Sequence, residues 1–286
     1  MKPKISLIVA TLGRKQELFD LLKSLKRQTF NNFEVIIVDQ NEPSYLDDII
    51  LPYLQVLNLI HIRSSVKGLS YNRNVGLSLA KGEMLAFPDD DCQYEPTLLE
   101  NVINLLVEPG SFITCNSRLN PASYSHYFSK SDSKITKYNV LDKAISFTIF
   151  IKYRKKSDIL FDDFLGSGAY FGAGEETDLL LSLLSKKYKA FYFSNLFVYH
   201  PELASHDINK VCSYSRGFGA LYFKESFIRY GLFYFLKFHI DLFLRLIFIL
   251  IPFSNFLIKK DKYIIKSIFI NRIKGFYTYS FYARSK

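Results

Sequence analysis

Short apolar runs rich in β-branched residues alternate with longer segments of helical periodicity through the first 110 residues. This alternation is typical of an α/β sheet built from strand–helix–strand units. It predicts strands over 5–10, 33–38, 57–62 and 84–87, and helices over 14–28, 45–54, 70–80 and 96–107. Ligands in such sheets collect at the carboxyl ends of the strands, so we expect functional residues just after each strand.

The pattern is less regular after residue 110. Residues 111–165 show weak periodicity, which is typical of long loops over a sheet face. A glycine-rich segment over 166–174 then leads into a predicted helix over 175–187, and residues 190–199 alternate like a strand. We therefore expect the folded body to extend to about residue 212.

The net charge of +10 lies in the last quarter of the 286-residue chain. Residues 1–212 contain 24 basic and 24 acidic side chains, whereas residues 213–286 contain 13 and 3. A basic segment that is also rich in aromatic residues is typical of one that meets an anionic surface, either membrane headgroups or nucleic acid. The alternative is that a lysine-rich chain simply carries some of its lysines at the end.

Residues 227–251 are almost continuously apolar, but charged residues interrupt them at multiples of four residues: Arg229, Lys237, Asp241 and Arg245. On one helix these four would form a narrow stripe, with Asp241 paired to Lys237 and Arg245. The longest uncharged run, 246–258, has 13 residues, and a bilayer span needs about 20. A helix in the membrane interface is therefore favoured, with packing on the body or across a dimer as the alternative.

The cysteines indicate the compartment. Cys92, Cys115 and Cys212 are odd in number and lack the spacing of a zinc site or a disulfide framework, which favours a reducing environment. The apolar stretch at the N-terminus is too short for a signal peptide. We expect the catalytic part to be cytoplasmic.

Three consecutive aspartates, Asp89, Asp90 and Asp91, follow the fourth predicted strand. Adjacent carboxylates repel one another unless a cation or hydrogen-bond donors lie among them. A Mg²⁺ or Mn²⁺ ion that also contacts a diphosphate would compensate this repulsion. The alternative is a solvated acidic turn.

A second acidic pair, Glu175 and Glu176, follows the glycine-rich segment. Flexible glycines before paired carboxylates could place one of them as a general base beside an incoming hydroxyl group. The pair could equally complement the dipole at the start of a helix.

Five short motifs occur in a fixed order: Ser6-Leu-Ile-Val-Ala-Thr-Leu-Gly-Arg14, Val38-Asp39, Gly68-Leu-Ser-Tyr-Asn-Arg-Asn-Val-Gly76, Phe87-Pro-Asp-Asp-Asp91 and Gly174-Glu-Glu-Thr-Asp178. Together they resemble the family 2 glycosyltransferases of the GT-A fold. The resemblance implies an α/β nucleotide-diphospho-sugar transferase fold, a Rossmann-like mixed sheet flanked by helices. It implies a catalytic domain over 1–212, with a nucleotide-binding half over 1–110 and an acceptor-binding half over 111–212, and a basic, aromatic, membrane-associating helical tail over 213–286.

The resemblance also implies which residues bind the nucleotide-diphosphate sugar donor. They are Thr11, Gly13, Arg14, Asp39, Gly68, Arg73, Asn74, Asp89 and Asp90. Arg73 would either meet the diphosphate or brace the aspartates.

The catalytic groups are implied in the same way. The resemblance implies a Mn²⁺ or Mg²⁺ ion held by Asp91, Asp89 and His200, with Asp91 as the direct ligand; a lone histidine can instead be an ordinary, partly buried polar residue. It implies Glu176 as the base, with Glu175 as the alternative. A single displacement would invert the anomeric configuration.

For the whole protein, the resemblance implies a hexosyltransferase of bacterial cell-surface polysaccharide synthesis, such as O-antigen or capsule. It would act on a lipid-linked glycan at the inner face of the membrane, with a homodimer possible and no nucleic-acid partner. One alternative is a metal-dependent nucleotidyltransferase, but residues 10–14 do not form its usual glycine- and lysine-rich phosphate loop. Another is a nucleic-acid-binding module, which leaves both acidic clusters unexplained.

Overall fold

The computed structural model describes residues 2–119, 129–201, 207–250 and 259–283. The strands are β1 (Ile5–Thr11), β2 (Phe33–Asp39), β3 (Leu59–Arg63), β4 (Met84–Ala86), β5 (Gln93–Tyr94), β6 (Ser111–Arg118), β7 (Ser133–Lys134), β8 (Ile149–Lys152) and β9 (Lys189–Tyr199). The helices are α1 (Lys15–Lys26), α2 (Asp47–Ile50), α3 (Leu69–Leu79), α4 (Leu98–Leu105), α5 (Glu175–Ser185), α6 (Ile208–Lys224), α7 (Leu232–Leu250) and α8 (Lys259–Ala283).

The N-terminal half of the sheet confirms the predicted alternation. Strands β3, β2, β1 and β4 lie side by side and run parallel, with β1 paired to β2 from Ile5 opposite Phe33 to Thr11 opposite Asp39. Helix α1 packs its leucines on this sheet because they recur every three or four residues; Leu18, Leu21, Leu22 and Leu25 are all buried. Each such side chain stabilises the fold by about 1.5–3 kcal/mol when it leaves water.

The prediction of long loops over 111–165 is wrong in part. This region contributes β6 and β8 to the middle of the sheet: β8 pairs antiparallel with both β4 and β6, and β6 pairs parallel with β9. The resulting sheet is mixed, in the order β3-β2-β1-β4-β8-β6-β9-β5, with β7 on β9. The sequence pattern is weak there because β8 has only four residues and its apolar run, Ile149–Ile151, is buried throughout and cannot alternate.

Two compact units make up the chain. One comprises Met1–Phe161 and Leu179–Glu202; the other comprises Asp162–Asp178 and Leu203–Lys286. This division differs from the expected boundary at residue 212, since the segment Asp162–Asp178, which contains Glu176, groups with the C-terminal helices. Because that segment brings five acidic side chains, the second unit contains 14 basic and 9 acidic residues, a net +5, and the first unit carries the other +5. The positive charge is therefore less concentrated than the sequence suggested.

The predicted charge stripe is wrong for Arg229, which lies outside α7, and the predicted pair of Lys237 with Asp241 is not formed. Arg229 ends a π-helical turn, Glu225–Arg229, and Gly231 with φ of +60° separates that turn from α7. Within α7, Asp241 pairs with Arg245 and with Arg272 of α8, while Lys237 Nζ lies 6.0 Å from the Tyr234 ring centroid. Only the Asp241–Arg245 pair is as predicted.

The expected membrane helix is described only in part. Residues 251–258, which belong to the predicted apolar run, lie outside the described residues. Among the helices that the structure describes, none combines the length and the apolar character that crossing a bilayer requires.

Glycines let α6 and α8 approach each other at backbone distance. A Cβ atom on Gly219 would lie 2.2 Å from the Arg272 carbonyl oxygen, and one on Gly275 would lie 2.0 Å from the Arg216 carbonyl oxygen. Both neighbours are backbone atoms of a helix and cannot move aside. The close crossing therefore requires glycine at both positions.

We expect Gly275→Ala to lower the free energy of unfolding by about 1–3 kcal/mol, because the methyl group overpacks the crossing. This sign is opposite to the usual gain for Gly→Ala in a helix. Chemical denaturation checks it, with the neighbouring exposed Lys274→Ala as the control, expected to change stability by less than about 0.5 kcal/mol. A Gly275→Ala protein as stable as wild type would contradict the close crossing.

Candidate active site

Asp39, at the end of β2, is held from both sides. Its Oδ1 accepts hydrogen bonds from the Asn41 backbone N (2.9 Å) and Nδ2 (2.7 Å), and its Oδ2 lies 3.0 Å from His61 Nε2. Asn41 Oδ1 in turn accepts from the Gly13 backbone N at 2.6 Å. The carboxylate is thus fixed in orientation while keeping lone pairs for a further donor.

Gly68 leaves open space beside the backbone. Its φ of +136° is one that other residues rarely adopt, and a Cβ atom there would meet no atom within 4 Å. Gln40 Oε1 accepts from the Gly68 backbone N at 2.9 Å, and Gln40 Nε2 donates to the Thr11 carbonyl oxygen at 3.3 Å. Gln40 therefore ties this loop to the end of β1, where Thr11 is buried.

Arg73 lies on α3 and is almost completely buried, with 1% of its surface exposed. Its Nη2 donates to Asp89 Oδ1 at 2.8 Å, and its guanidinium carbon lies 5.4 Å from the Phe161 ring centroid. Ser146 Oγ donates to the same Asp89 oxygen at 3.2 Å. Of the two roles that the sequence left open for Arg73, bracing the aspartates is the one present in this structure.

Asn74, the residue after Arg73 on the same helix, is bound to the backbone of Phe161. Its Nδ2 donates to the Phe161 carbonyl oxygen and its Oδ1 accepts from the Phe161 N, both at 2.9 Å. Donor binding by Asn74 stays a prediction, because its amide is engaged in holding this segment.

Arg14 spans the other two aspartates. Its Nη1 donates to Asp90 Oδ1 at 2.9 Å and also forms an ion pair with Asp91 Oδ2. Burial raises the pKa of Asp90 to about 6, against the opposing effect of Arg14. Burial would also raise the pKa of Asp91, but the neighbouring His200 and Arg14 side chains bring it below its usual value.

His200 follows β9 and points one ring nitrogen at Asp91. Its Nε2 lies 3.1 Å from Asp91 Oδ1, its ring stacks on Phe147 with centroids 4.4 Å apart, and its Nδ1 lies 2.7 Å from the Pro201 carbonyl oxygen. Both ring nitrogens therefore face acceptor oxygens. Burial would lower the pKa of His200, but the neighbouring Asp91 carboxylate raises it above its usual value.

Asp89, Asp91 and His200 form a group that fits a divalent cation. Each offers one ligand atom, and these atoms lie within 4.8 Å of one another. Asp91 Oδ1 is buried, and no described residue makes a hydrogen bond to it. Two carboxylate oxygens and one imidazole nitrogen suit Mn²⁺, and Mg²⁺ prefers the oxygens. These are the three residues that the resemblance in sequence implies as metal ligands.

Glu175 and Glu176 begin α5, as predicted, directly after Gly174 with φ of +94°. Glu175 is buried, with 6% of its surface exposed, whereas Glu176 is only half-buried. Asp178, in the same first turn, is also buried. Of the two glutamates, Glu176 has the larger exposed fraction, and its Oε2 atom is buried.

Several side chains at these sites were missed by the sequence analysis. Asn41 and His61 hold Asp39, Gln40 holds Gly68, and Ser146 contacts Asp89. Residues 40 and 41 directly follow a predicted strand, which was a usable signal. Nothing in the sequence pattern singles out Ser146, because it lies in the region taken for loops.

Comparison with known families gives one match, the model "Glycosyl transferase family 2", over residues 6–164. Among curated proteins, the chain is 29% identical over 150 residues to the Escherichia coli UDP-Glc:alpha-D-GlcNAc-diphosphoundecaprenol beta-1,3-glucosyltransferase WfaP, covering 52% of this chain and 56% of that protein. It is 26% identical over 206 residues to the Campylobacter jejuni GalNAc(5)-diNAcBac-PP-undecaprenol beta-1,3-glucosyltransferase, covering 68% and 63%. The chain thus spans less than two thirds of the length of either relative.

Solved structures share the fold. Staphylococcus aureus TarS 1–349 in complex with UDP-GlcNAc superimposes with a TM-score of 0.68 at 18% identity, covering 96% of this chain and 81% of that one. The Pyrobaculum calidifontis mannosyltransferase PcManGT in complex with GDP-Man and Mn²⁺ gives 0.61 at 14% identity, covering 98% and 74%. At these identities the likeness establishes the fold, which is GT-A, and not the substrate.

We expect Mn²⁺ to bind the wild-type protein in the presence of UDP, and Asp91→Asn to weaken that binding at least roughly tenfold by removing a charged ligand. Electron paramagnetic resonance of free Mn²⁺ measures it. His200→Ala should weaken binding as well, whereas the exposed Asp142→Asn should not. Equal affinity in wild type and Asp91→Asn would remove Asp91 from the metal site.

Proposed function

The chain belongs to glycosyl transferase family 2, and on that premise we propose that it moves a hexose from a nucleotide-diphosphate sugar to a hydroxyl group of a lipid-linked glycan in cell-surface polysaccharide synthesis. The observation that carries the proposal is the group Asp89, Asp91 and His200 with Arg73 and Arg14 beside it. A cluster of that charge and composition suits the diphosphate of a donor together with its cation.

Donor binding is assigned to the strand ends. Asp39, held by His61 and Asn41, would accept a hydrogen bond from the nucleobase or ribose. The open space at Gly68 would let the nucleotide approach the backbone, and Gly13 and Thr11 border the same strand ends. In support, two solved structures that share the fold are complexes with UDP-GlcNAc and with GDP-Man.

Asp89, Asp91 and His200 would hold Mn²⁺ or Mg²⁺, which when bound supplies positive charge to the diphosphate as it leaves. The chain's own residues contribute the rest. Arg73 keeps Asp89 in place, and Arg14 offers a guanidinium, 46% exposed, beside Asp90 and Asp91. Arg14 can therefore turn toward an anionic ligand, and Asp91 then keeps His200 and the cation as partners.

Glu176 is assigned as the general base. It takes the proton of the acceptor hydroxyl as that oxygen bonds to the anomeric carbon, and the bond from this carbon to the diphosphate oxygen breaks with both electrons going to the leaving nucleoside diphosphate. The displacement occurs in one step, so the anomeric configuration inverts. The greater exposure of Glu176 supports it over Glu175.

The acceptor is assigned to the membrane. Both curated relatives are named for undecaprenol-linked acceptors. One face of α7 and the turn before it is apolar and exposed: Ile228, Leu232, Leu236, Ile240, Phe243 and Leu244 are 48–69% exposed. Their spacing of three or four residues aligns them along the helix. We assign this α7 face to the inner surface of the cell membrane, where a peripheral protein would reach the acceptor headgroup.

The two other functions are not favoured. A nucleotidyltransferase is not expected from a chain that the glycosyltransferase model matches over 159 residues. A nucleic-acid-binding module would stack the bases of the nucleic acid on an exposed basic and aromatic surface, but the excess positive charge of the second unit is only +5.

To test transfer, UDP-, GDP- and dTDP-hexoses are incubated with Mn²⁺ and an undecaprenyl-diphosphate-linked sugar, and product is measured by mass spectrometry. We expect one nucleotide class to support transfer, with NMR of the product giving the anomeric configuration opposite to that of the donor. Glu176→Gln should lower kcat by about 10²–10⁴-fold with donor affinity retained. If Glu175→Gln has this effect instead, Glu175 is the base; retention of configuration would contradict the displacement.

To test membrane contact, the protein is sedimented with vesicles of anionic phosphatidylglycerol. We expect Leu236→Glu with Ile240→Glu to abolish binding, because burying two carboxylates in the interface is costly. Leu160→Glu, which alters an equally exposed apolar residue outside α7, is the control. Unchanged vesicle binding of the double variant contradicts the assignment. If wild type is a dimer that does not bind vesicles and the double variant is a monomer, the α7 face is a homodimer contact.

A further inference from the structure

A buried group of charged side chains, which we call the Asp178 cluster, consists of Asp162, Asp178, Lys224, Glu225 and Arg229. Lys224 Nζ donates to Asp162 Oδ2 at 2.7 Å and to Asp178 Oδ2 at 2.8 Å. Arg229 Nη2 donates to Asp178 Oδ1 at 2.5 Å, and its Nη1 binds Glu225 Oε1. The two cations thus converge on one aspartate, and neither takes part in the proposed chemistry.

The cluster brings two cations to three carboxylates. Burial raises the pKa of Glu225 to about 8, against the opposing effect of Arg229. Lys224 pairs with Asp162 and Asp178, and Arg229 pairs with Asp178 and Glu225. Burying ions costs several kcal/mol each, and apolar residues of the same shape often give more stability. A cluster of this kind therefore favours one defined geometry rather than high stability.

The geometry that the cluster defines is that of the first turn of α5. Asp178 lies two residues after Glu176, and its backbone N donates to the Gly174 carbonyl oxygen at 2.9 Å. Arg229 Nη1 also donates to the backbone carbonyl oxygen of Asp178 at 3.1 Å. Arg229 holds both the side chain and the main chain of Asp178, so this turn cannot unwind or rotate without breaking charge-assisted hydrogen bonds.

The loop before α5 is anchored on the same helix that supplies Lys224. The Gly172 backbone N donates to the Ser213 carbonyl oxygen at 3.2 Å, and a Cβ atom on Gly217 would lie 2.3 Å from the Ala173 carbonyl oxygen. Residues on both sides of Glu175 and Glu176 are therefore fixed to α6 and to the turn that follows it. The two glutamates lie between these anchors.

We infer that Lys224 and Arg229 are positioning residues, which fix the direction of the catalytic glutamate at the start of α5 through Asp178. This inference rests on the proposed function, in which Glu176 or Glu175 is the base. A catalytic base displaced by about 1 Å can lower the rate about 10²-fold. The donor-binding residues on the parallel strands do not contact the Asp178 cluster, so donor binding does not depend on it. Loss of either cation should therefore lower kcat and leave the KM of the donor unchanged.

The first measurement is hydrogen–deuterium exchange of the full-length protein, which needs no substrate. In Arg229→Gln and in Lys224→Gln, we expect amides over 175–182 to exchange at least tenfold faster, and those of β1 and β2 to be unchanged. Arg229→Lys, which keeps the charge, should restore part of the protection. Arg245→Gln is the matched control, because Arg245 makes a similar pair with Asp241 within α7. Unchanged exchange in both variants would overturn the inference.

The second measurement is steady-state kinetics with the donor that wild type uses. We expect kcat to fall at least tenfold in Arg229→Gln, with donor KM within twofold and partial recovery in Arg229→Lys. If Arg229→Gln does not fold, Lys224→Gln and the isosteric Asp178→Asn supply the same comparison. Equal losses in kcat and donor affinity, or full activity, would overturn the inference. A wild-type protein that transfers no sugar would instead refute the proposed function. The exchange measurement needs no activity and would still test whether the cluster holds the first turn of α5.

Discussion

Three adjacent carboxylates at the end of one strand cannot be buried together unless positive charge reaches each of them. Here each has a partner from a different element: Asp89 has Arg73 of α3, Asp90 has Arg14 before α1, and Asp91 has His200 after β9. These partners come from sequence positions up to 109 residues away from the aspartate that they contact. The repulsion within the triplet therefore constrains where α1, α3 and β9 must lie around the end of β4.

The same constraint explains why the site suits a cation. Asp91 Oδ1 is buried without a well-aligned hydrogen bond from the described residues, and His200 Nε2 lies 3.1 Å from it. An imidazole and two carboxylates in that relation are stable only with a proton or a metal ion among them.

Sequence reasoning predicted the elements whose hydrophobic or charge pattern follows directly from their burial or their mutual repulsion. Strands β1 to β4 are recognised because they are long enough or are closely followed by turn residues. The acidic residues after β4 and at the start of α5 are recognised because adjacent carboxylates repel one another. It missed β8, which has four residues, and the longer β6, because strands buried on both faces do not alternate. It placed Arg229 in a charged stripe along one helix, whereas a π-helical turn directs that side chain to Asp178. Partners that meet only through tertiary packing, such as His61 with Asp39, leave no mark in a single sequence.

The central claim is that Asp89, Asp91 and His200 hold the cation that accompanies the donor diphosphate. Anomalous diffraction at the manganese edge, from crystals grown with UDP and Mn²⁺, tests it directly. The account predicts one strong peak within ligand distance of Asp91 and His200 and of the diphosphate oxygens. A peak elsewhere, or UDP bound at these strand ends with no peak at all, would contradict it.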